Sequence, residues 1–186
     1  MNDLIVLLNE MKARGLIGDY AIGGATGLIY YFEPIQTQDI DVFIVLESQG
    51  QPLVNLSPIY SFLAERGCEP KQEYVLVSGV PVQFLVPYNA LVQDAVATAT
   101  SVKFGATDCR VLSLEHLMTI MIQTGRTKDK ARLEDLGNHP TLFDKSKFQN
   151  LIQRFNLEEK WQKMRQQIDF PWRGARRRVS LKVREQ

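Results

Sequence analysis

The apolar positions of the chain follow two different spacings. Residues 3–14 carry apolar side chains on one helical face, and the pattern ends at Gly15, so this segment is predicted to be an amphipathic helix. Short β-branched or alternating apolar runs instead predict strands. These runs cover residues 20–23, 40–46, 73–77, 80–86, 102–104 and 109–112. Two of them flank Ser78-Gly79, a pattern typical of a β-hairpin.

Helical patterns separate and follow these runs. They cover residues 25–32, 58–66, 89–99, 113–123, 128–136, 144–155 and 157–168. Glu33-Pro34 is expected to end the second helix of the chain, because a residue before proline avoids the helical conformation. Strands and helices mixed in this order, with helices alone at the end, predict an α+β fold. It would be a mixed β-sheet with packed helices and a helical C-terminal part.

We expect three regions along the chain. Residues 1–140 would form the sheet-containing domain, 141–171 a C-terminal helical segment, and 172–186 a basic tail. The net charge of +1 hides this tail, because residues 172–186 alone carry six basic residues and one acidic residue, or +5. Residues 1–171 therefore carry −4. A tail of this kind is suited to nucleic-acid phosphates; pairing with the acidic body, or disorder, are the alternatives.

Composition disfavours several classes of protein. The apolar runs fall short of the ~20 residues of a membrane span, and the N-terminus lacks the features of a signal peptide, so we expect a cytoplasmic protein with no membrane contact. Cys68 and Cys109 are expected as free thiols. With only two histidines, any metal would be held by carboxylates; His116 is expected to pack or cap a helix. Neither a dinucleotide-binding glycine motif nor a P-loop is present.

The segment 21–41 carries the strongest functional pattern. Asp39 and Asp41 stand at the start of a predicted strand, so their side chains share one face, with their Cα atoms roughly 6.5 Å apart. Two carboxylates at that separation repel each other unless a cation lies between them, and Mg²⁺ favours one or two carboxylates together with phosphate oxygens. Gly23-Gly24 lies between a strand and a helix, where backbone N–H groups can approach a phosphate.

Each half of this pattern has an ordinary interpretation. A pair of aspartates at a strand end is often a solvated edge, and a pair of glycines between two elements is often a simple turn. The ordered combination of strand, glycine pair, helix and aspartate-bearing strand is more specific. It predicts a site for a nucleoside triphosphate bound with Mg²⁺.

The sequence motifs of these segments resemble those of the nucleotidyltransferase superfamily that includes DNA polymerase β. The resemblance covers about residues 18–137 and is strongest in Ile22-Gly-Gly-Ala25 and Thr37-x-Asp39-Ile-Asp41. With Glu115-His116-Leu117 and Gly125-Arg126-x-Lys128-Asp129, the sequence is similar to the AbiEii-like branch, which includes toxins of bacterial type IV toxin–antitoxin and phage-abortive systems.

The resemblance implies a reaction and a set of partners. The reaction would be transfer of a nucleoside monophosphate from a nucleoside triphosphate to a hydroxyl acceptor on RNA or protein, with Mg²⁺ or Mn²⁺ as cofactor. The acceptor RNA, for example tRNA, would be reached through the basic tail, and a toxin role would bring an antitoxin protein as partner.

The resemblance also implies roles for individual residues. Asp39 and Asp41 would be the catalytic metal ligands, while Gly23, Gly24 and Thr37 would bind the nucleotide; Thr37 alternatively caps the strand. A third carboxylate is expected on strand 81–85, where Gln83 stands; a glutamine can offer an oxygen to a metal but cannot act as a general base.

A lysine that contacts the nucleotide in the toxins is absent from the helix that begins at Glu115, and Met121 occupies the plausible position. Arg126 and Lys128 are candidates to contact the triphosphate instead; the alternative is an ion-paired, solvated helix face. A second hypothesis therefore remains open: a catalytically inactive protein of this fold that binds a nucleotide, a nucleic acid or a protein partner.

Overall fold

The computed structural model describes residues 1–32, 37–46 and 55–171, and within these ranges it contains eight helices and seven strands. The helices are Asn2–Ala13 (α1), Gly24–Ile29 (α2), Ser57–Ala64 (α3), Ala90–Ala97 (α4), Leu114–Thr124 (α5), Thr127–Gly137 (α6), Lys145–Arg154 (α7) and Glu158–Arg165 (α8). The strands are Asp19–Ile22 (β1), Ile40–Val45 (β2), Glu69–Lys71 (β3), Tyr74–Val77 (β4), Val80–Leu85 (β5), Thr100–Phe104 (β6) and Thr107–Val111 (β7).

The chain divides into two compact units, Met1–Ile120 and a second unit that begins at Met121. The predicted boundaries at 140 and 171 stay a prediction. Two sequence-based expectations, the helix end at Glu33-Pro34 and the basic tail 172–186, lie outside the described residues. Within the part of the chain that is described, no helix is long and apolar enough to cross a membrane.

The seven described strands form one mixed sheet in the order β3-β4-β5-β2-β1-β7-β6. The strand β2 pairs antiparallel with β1 and parallel with β5, and β1 pairs parallel with β7. The remaining pairs, β3 with β4, β4 with β5 and β6 with β7, are antiparallel. This architecture confirms the predicted α+β fold with a mixed sheet and packed helices.

Side chains alternate between the two faces of β2, and this alternation positions the site. Ile40, Val42 and Ile44 are buried in the core that also holds Leu8 of α1 and Leu63 of α3. Burial of each such side chain contributes about 1.5–3 kcal/mol. The intervening positions of β2 therefore face the other side of the sheet, where an aspartate is only half-buried.

The β4–β5 hairpin turns through Ser78 and Gly79, both with positive φ, at 49° and 79°. Two positive φ values in a two-residue turn match the twist of a hairpin. The short strand β3 was not predicted. Its three residues, Glu69, Pro70 and Lys71, are exposed and pair with β4 alone, so no apolar alternation marks them in the sequence.

The second unit, as far as Pro171, has its own aromatic core. The rings of Phe148 and Phe170 pack on Trp161 with centroid distances of 5.6 and 4.9 Å. Gly137, predicted to lie just beyond α6, is its last residue, and a Cβ there would come within 2.6 Å of the Phe170 ring. The Asp144 side chain caps α7, accepting from two backbone N–H groups at 2.8 and 3.0 Å.

Candidate active site

The carboxylate of Asp41 packs against the backbone of Gly24. Gly24 has φ +55°, and a Cβ placed on it would lie 1.8 Å from Asp41 Oδ2 and 2.8 Å from its Cγ. A side chain at this position would therefore displace the carboxylate. The link is reinforced by the backbone, because the Gly23 N–H donates to the Asp41 carbonyl at 2.9 Å. The turn after β1 and Asp41 of β2 therefore form one structural unit.

The two glycines have different roles in this unit. Gly23 is buried, and a Cβ on it would lie 2.6 Å from the ring of Phe43 and 3.1 Å from Leu112. Its N–H is already used by Asp41. Gly24 is only half-buried and begins α2, and the first N–H groups of a helix have no acceptor inside it. Binding of a phosphate by backbone N–H groups from Gly24 onward stays a prediction.

Asp39 immediately precedes β2 and is contacted by two threonine hydroxyls. Thr37 Oγ1 lies 3.2 Å from Asp39 Oδ1 and 3.0 Å from the Asp39 carbonyl, to which Thr26 Oγ1 also donates at 3.4 Å. Thr37 thus holds the start of the strand, one of its two predicted roles; a phosphate contact stays a prediction. Asp39 and Asp41 stand two residues apart along the strand and are both half-buried.

Gln83 lies next to Asp41 in the sheet. The two residues are Cα partners in the parallel pairing of β2 and β5, and both are half-buried. Neighbouring strands lie about 4.8 Å apart, so paired side chains stand side by side on the same face. The expectation that Gln83 occupies the position next to the aspartates therefore agrees with the register, whereas its role as a metal ligand stays a prediction.

The chemistry of these side chains fits one phosphate-bound Mg²⁺. Asp39 and Asp41 offer two carboxylates and Gln83 an amide oxygen, while Mg²⁺ in proteins is usually held by one or two carboxylates together with substrate phosphates. Among the described residues, no group of three or more His, Cys, Asp or Glu side chains is arranged to hold a metal ion. A third acidic ligand from within these residues is therefore lacking.

Tyr74 on β4 was missed by the sequence analysis. Tyr74 and Leu76 alternate with two buried valines and so share the half-buried face of β4. Partial burial raises the pKa of Tyr74, and so do the negative charges of Asp39, Glu73 and Asp41 and a hydrogen bond with Asp39. The phenol therefore remains protonated at neutral pH. The predicted hairpin could have indicated this position, because counting back from its turn pairs residue 74 with residue 83.

Arg126 and Lys128 belong to the second unit. Arg126 donates from Nε to Asp129 Oδ2 at 2.7 Å and from Nη2 to Oδ1 at 3.1 Å, and Thr124 Oγ1 donates to Oδ2 at 2.6 Å. Burial alone would raise the pKa of Asp129, but the hydrogen bonds and the charge of Arg126 bring it below its ordinary value. Lys128 is exposed. Arg126 is therefore ion-paired with a buried carboxylate, and contact of Arg126 or Lys128 with a triphosphate stays a prediction.

His116 of α5 links this helix to α4 through its ring nitrogens. Its Nδ1 lies 2.9 Å from Ser113 Oγ and its Nε2 lies 3.0 Å from Asp94 Oδ2. Although the three side chains match the members of a hydrolase triad, Ser113 is 4 % exposed and His116 2 %. Ser113 also precedes α5, and its carbonyl accepts from the Leu117 N–H. The expected packing or capping role of His116 agrees with these contacts.

The strand order and helices described above define a nucleotidyltransferase-like fold. The crystal structure of an antigenic nucleotidyltransferase-like protein from Paracoccidioides brasiliensis shares it with a TM-score of 0.56 and 16% sequence identity, over 85% of this chain and 89% of that chain. The solution structure of the antibiotic-resistance factor ANT(2'')-Ia matches with a TM-score of 0.48 and 13% identity, over 88% and 95% of the two chains. At 16% identity, the first likeness establishes the fold.

Comparisons of the sequence give no family assignment beyond this fold. No protein-family model matches the chain, and no curated protein sequence matches it. The resemblance to the AbiEii-like branch therefore stays a prediction, and the activity is argued from the site.

Proposed function

We propose that this protein is a Mg²⁺-dependent nucleotidyltransferase that transfers a nucleoside monophosphate from a nucleoside triphosphate to a hydroxyl acceptor. The observation that carries the proposal is the contact between the Asp41 carboxylate and Gly24. A cation held by the aspartate and a phosphate bound at the turn would be direct neighbours. A triphosphate that arrives with Mg²⁺ on its oxygens requires this combination of groups.

Each residue of the site has a part in this proposal. Asp39 and Asp41 would hold Mg²⁺ or Mn²⁺, with Gln83 as a further oxygen donor, and N–H groups from Gly24 onward would bind phosphate oxygens. When bound, the ion supplies neutralisation of the triphosphate charge and polarisation of the phosphorus that is attacked. Thr37 holds Asp39 in place through its hydroxyl.

The finer parts of the proposal concern the acceptor and the biological role. We take RNA, such as tRNA, as the acceptor class, with the +5 segment 172–186 supplying contacts to its phosphates. Arg126 and Lys128 would contribute positive charge toward the triphosphate. The resemblance of the sequence motifs to the AbiEii-like branch supports a toxin-like, cytoplasmic protein with an antitoxin partner.

A second candidate function is favoured by Gln83. An amide at the position paired with Asp41 cannot take a proton from an attacking hydroxyl, and the described residues provide no third acidic ligand. The protein would then bind a Mg²⁺–nucleotide, a nucleic acid or a protein partner without transferring anything.

Labelled nucleoside triphosphates, Mg²⁺ or Mn²⁺ and total RNA distinguish the two functions. The wild type should transfer label, whereas the variant with both Asp39→Asn and Asp41→Asn should not. Asp108→Asn is the matched control, because Asp108 is an exposed aspartate of the same sheet, paired with Lys103 at 2.7 Å. Metal-dependent nucleotide binding without transfer supports the second candidate. Neither binding nor transfer by the wild type contradicts the proposal.

A further inference from the structure

Four residues stand in one row across the sheet, from β2 to the edge strand β3. Asp41 is the Cα partner of Gln83, and the hairpin register continues from Gln83 to Tyr74. Tyr74 is in turn the Cα partner of Lys71. Residues paired across neighbouring strands share one face of the sheet, so the row extends about 14 Å from Asp41 at about 4.8 Å per strand. It continues the proposed metal site outward to the edge of the sheet.

The face that carries this row is partly open to a partner. Val75 and Val82, on the opposite face of the same hairpin, are buried in the core. Tyr74 and Gln83 are only half-buried, and Lys71 is exposed like the rest of β3. From the edge inward, the row therefore offers a cation, an aromatic ring, an amide and a carboxylate.

Lys71 differs from the other cations of the unit Met1–Ile120. Five of the six basic residues in this unit are ion-paired with carboxylates: Lys12, Arg14, Arg66, Lys103 and Arg110. Lys71 is the sixth, and it has no ion pair within the part of the chain that the structure describes. Glu69 and Glu73 flank it in the sequence, so the positive charge is confined to one position. Such a charge fits a single phosphate better than a run of phosphates.

The order of groups in the row matches the end of a single-stranded RNA. Unpaired bases of RNA stack on aromatic side chains, and a lysine binds a backbone phosphate as a point charge. In phosphoryl transfer the attacking and leaving oxygens are roughly in line through the phosphorus. The turn at Gly24 lies on the β1 side of Asp41, so an acceptor opposite the outer phosphates would approach from the β5 side, along the row.

We propose that Lys71, Tyr74 and Gln83 form the surface that binds the end of a single-stranded RNA acceptor. Lys71 contacts one backbone phosphate, the Tyr74 ring stacks on a base, and the Gln83 amide hydrogen-bonds to the terminal nucleotide. The terminal ribose hydroxyls then lie at Asp41. This inference rests on the proposed function, from which the reaction at the aspartates is taken.

Fluorescence anisotropy of the full chain with labelled single-stranded oligo(U) RNA, in Mg²⁺ without nucleotide, tests this surface. Tyr74→Ala should weaken binding roughly 10-fold, as for the loss of one stacked base, whereas Tyr74→Phe keeps the ring and should bind like the wild type. Lys71→Gln should reduce the slope of log affinity against log salt by about 0.7, the value for one phosphate of a single strand.

Two matched controls accompany these variants. Tyr88→Ala removes a tyrosine that is 61 % exposed in the loop after β5, and Lys103→Gln removes a lysine that is paired with Asp108. Both should bind RNA like the wild type. The segment 172–186 is kept in every protein, so that its contribution to RNA binding is common to all. Because Lys71 is exposed, Lys71→Gln keeps the test decisive even where Tyr74→Ala folds poorly.

The outcomes separate this inference from the proposed function. Wild-type affinity in Tyr74→Ala, an unchanged salt slope in Lys71→Gln, or equal binding of duplex and single strand overturns the inference. Metal-dependent nucleotide binding, measured on the same wild type, then decides separately whether the proposed function stands. Transfer of label to protein and not to RNA also overturns the inference. A wild type that binds RNA through this row but neither binds nor transfers nucleotide contradicts the proposed function, and with it the acceptor role of the row.

Discussion

The carboxylate of Asp41 occupies the space into which any side chain at residue 24 would project, since Oδ2 lies 1.8 Å from the Cβ position of Gly24. The proposed metal ligand and the proposed phosphate-binding turn are therefore one structural unit. A change on either side of this contact should affect the binding of a metal–nucleotide complex as a whole.

Gly24→Ala tests this relationship. The alanine should push the Asp41 carboxylate away and abolish Mg²⁺-dependent nucleotide binding, and its left-handed backbone should cost about 1–2 kcal/mol of stability. Gly105→Ala is the matched control, because Gly105 has φ +61° and nothing lies within 4 Å of its Cβ position. Gly24→Ala should lose at least as much stability as Gly105→Ala in urea unfolding, but only Gly24→Ala should lose nucleotide binding. Equal nucleotide affinity in both would contradict the account.

Gln83→Glu tests the missing third carboxylate. The new charge would stand beside Asp41, and Coulomb repulsion without metal should lower stability by roughly 1–3 kcal/mol. Mg²⁺ should relieve this repulsion, so that the melting temperature of Gln83→Glu rises more with Mg²⁺ than that of the wild type. Thermal unfolding with Mg²⁺ and with EDTA measures the difference. Identical Mg²⁺ responses would place Gln83 outside the metal site.

Asp129→Asn tests the ion pair at the start of α6. Loss of charged hydrogen bonds from Arg126 and Thr124 to a fully buried carboxylate should cost about 1–3 kcal/mol at neutral pH. Because the pKa of Asp129 is lowered in the folded state, this stabilisation is complete above the ordinary value of 3.8 and is lost as the pH falls through the lower folded value. The wild type and Asp129→Asn should therefore converge in stability on acidification below about pH 4.

The control for that experiment is Asp135→Asn, an exposed position on the same helix. Urea unfolding of the three proteins at neutral and acidic pH gives the comparison. A difference between wild type and Asp129→Asn that persists unchanged in acid would contradict the assigned ion pair.

Ser113→Ala tests the structural role of the buried serine and histidine. Ser113 precedes α5 and contacts His116, so its replacement should lower the free energy of unfolding by about 1 kcal/mol, as for other helix caps. Nucleotide binding should be unchanged, since Ser113 is only 4 % exposed and its hydroxyl contacts His116. Loss of nucleotide affinity in a folded Ser113→Ala protein would assign this residue to the site after all.

The sequence predicted those features that are determined locally. The hairpin is specified by two apolar runs and the turn at Ser78-Gly79. The helix predicted over 89–99 is α4, in which Asn89 accepts from the Val92 N–H at 2.9 Å. The strand β2 was found because its β-branched and apolar run is interrupted only by Asp41. These signals depend on neighbours in the chain, which a single sequence displays.

Other features depend on contacts between distant segments and were not predictable in this way. The short strand β3 exists only because β4 pairs with it. Gly23 and Gly24 look equivalent in the sequence, yet Phe43 packs on one and Asp41 on the other. The predicted hairpin sets Tyr74 beside residue 83, but only the pairing of β5 with β2 brings both residues toward Asp41.

The most direct test of the proposed site is the affinity for a nucleoside triphosphate, measured by titration calorimetry with Mg²⁺ and with EDTA, for the wild type, Asp41→Asn and the control Asp108→Asn. The account predicts that wild type and Asp108→Asn bind tightly only with Mg²⁺, and that Asp41→Asn binds at least about 10-fold more weakly, as for the loss of a metal-site group. Equal affinity of Asp41→Asn and wild type, or binding that is unaffected by EDTA, would contradict it.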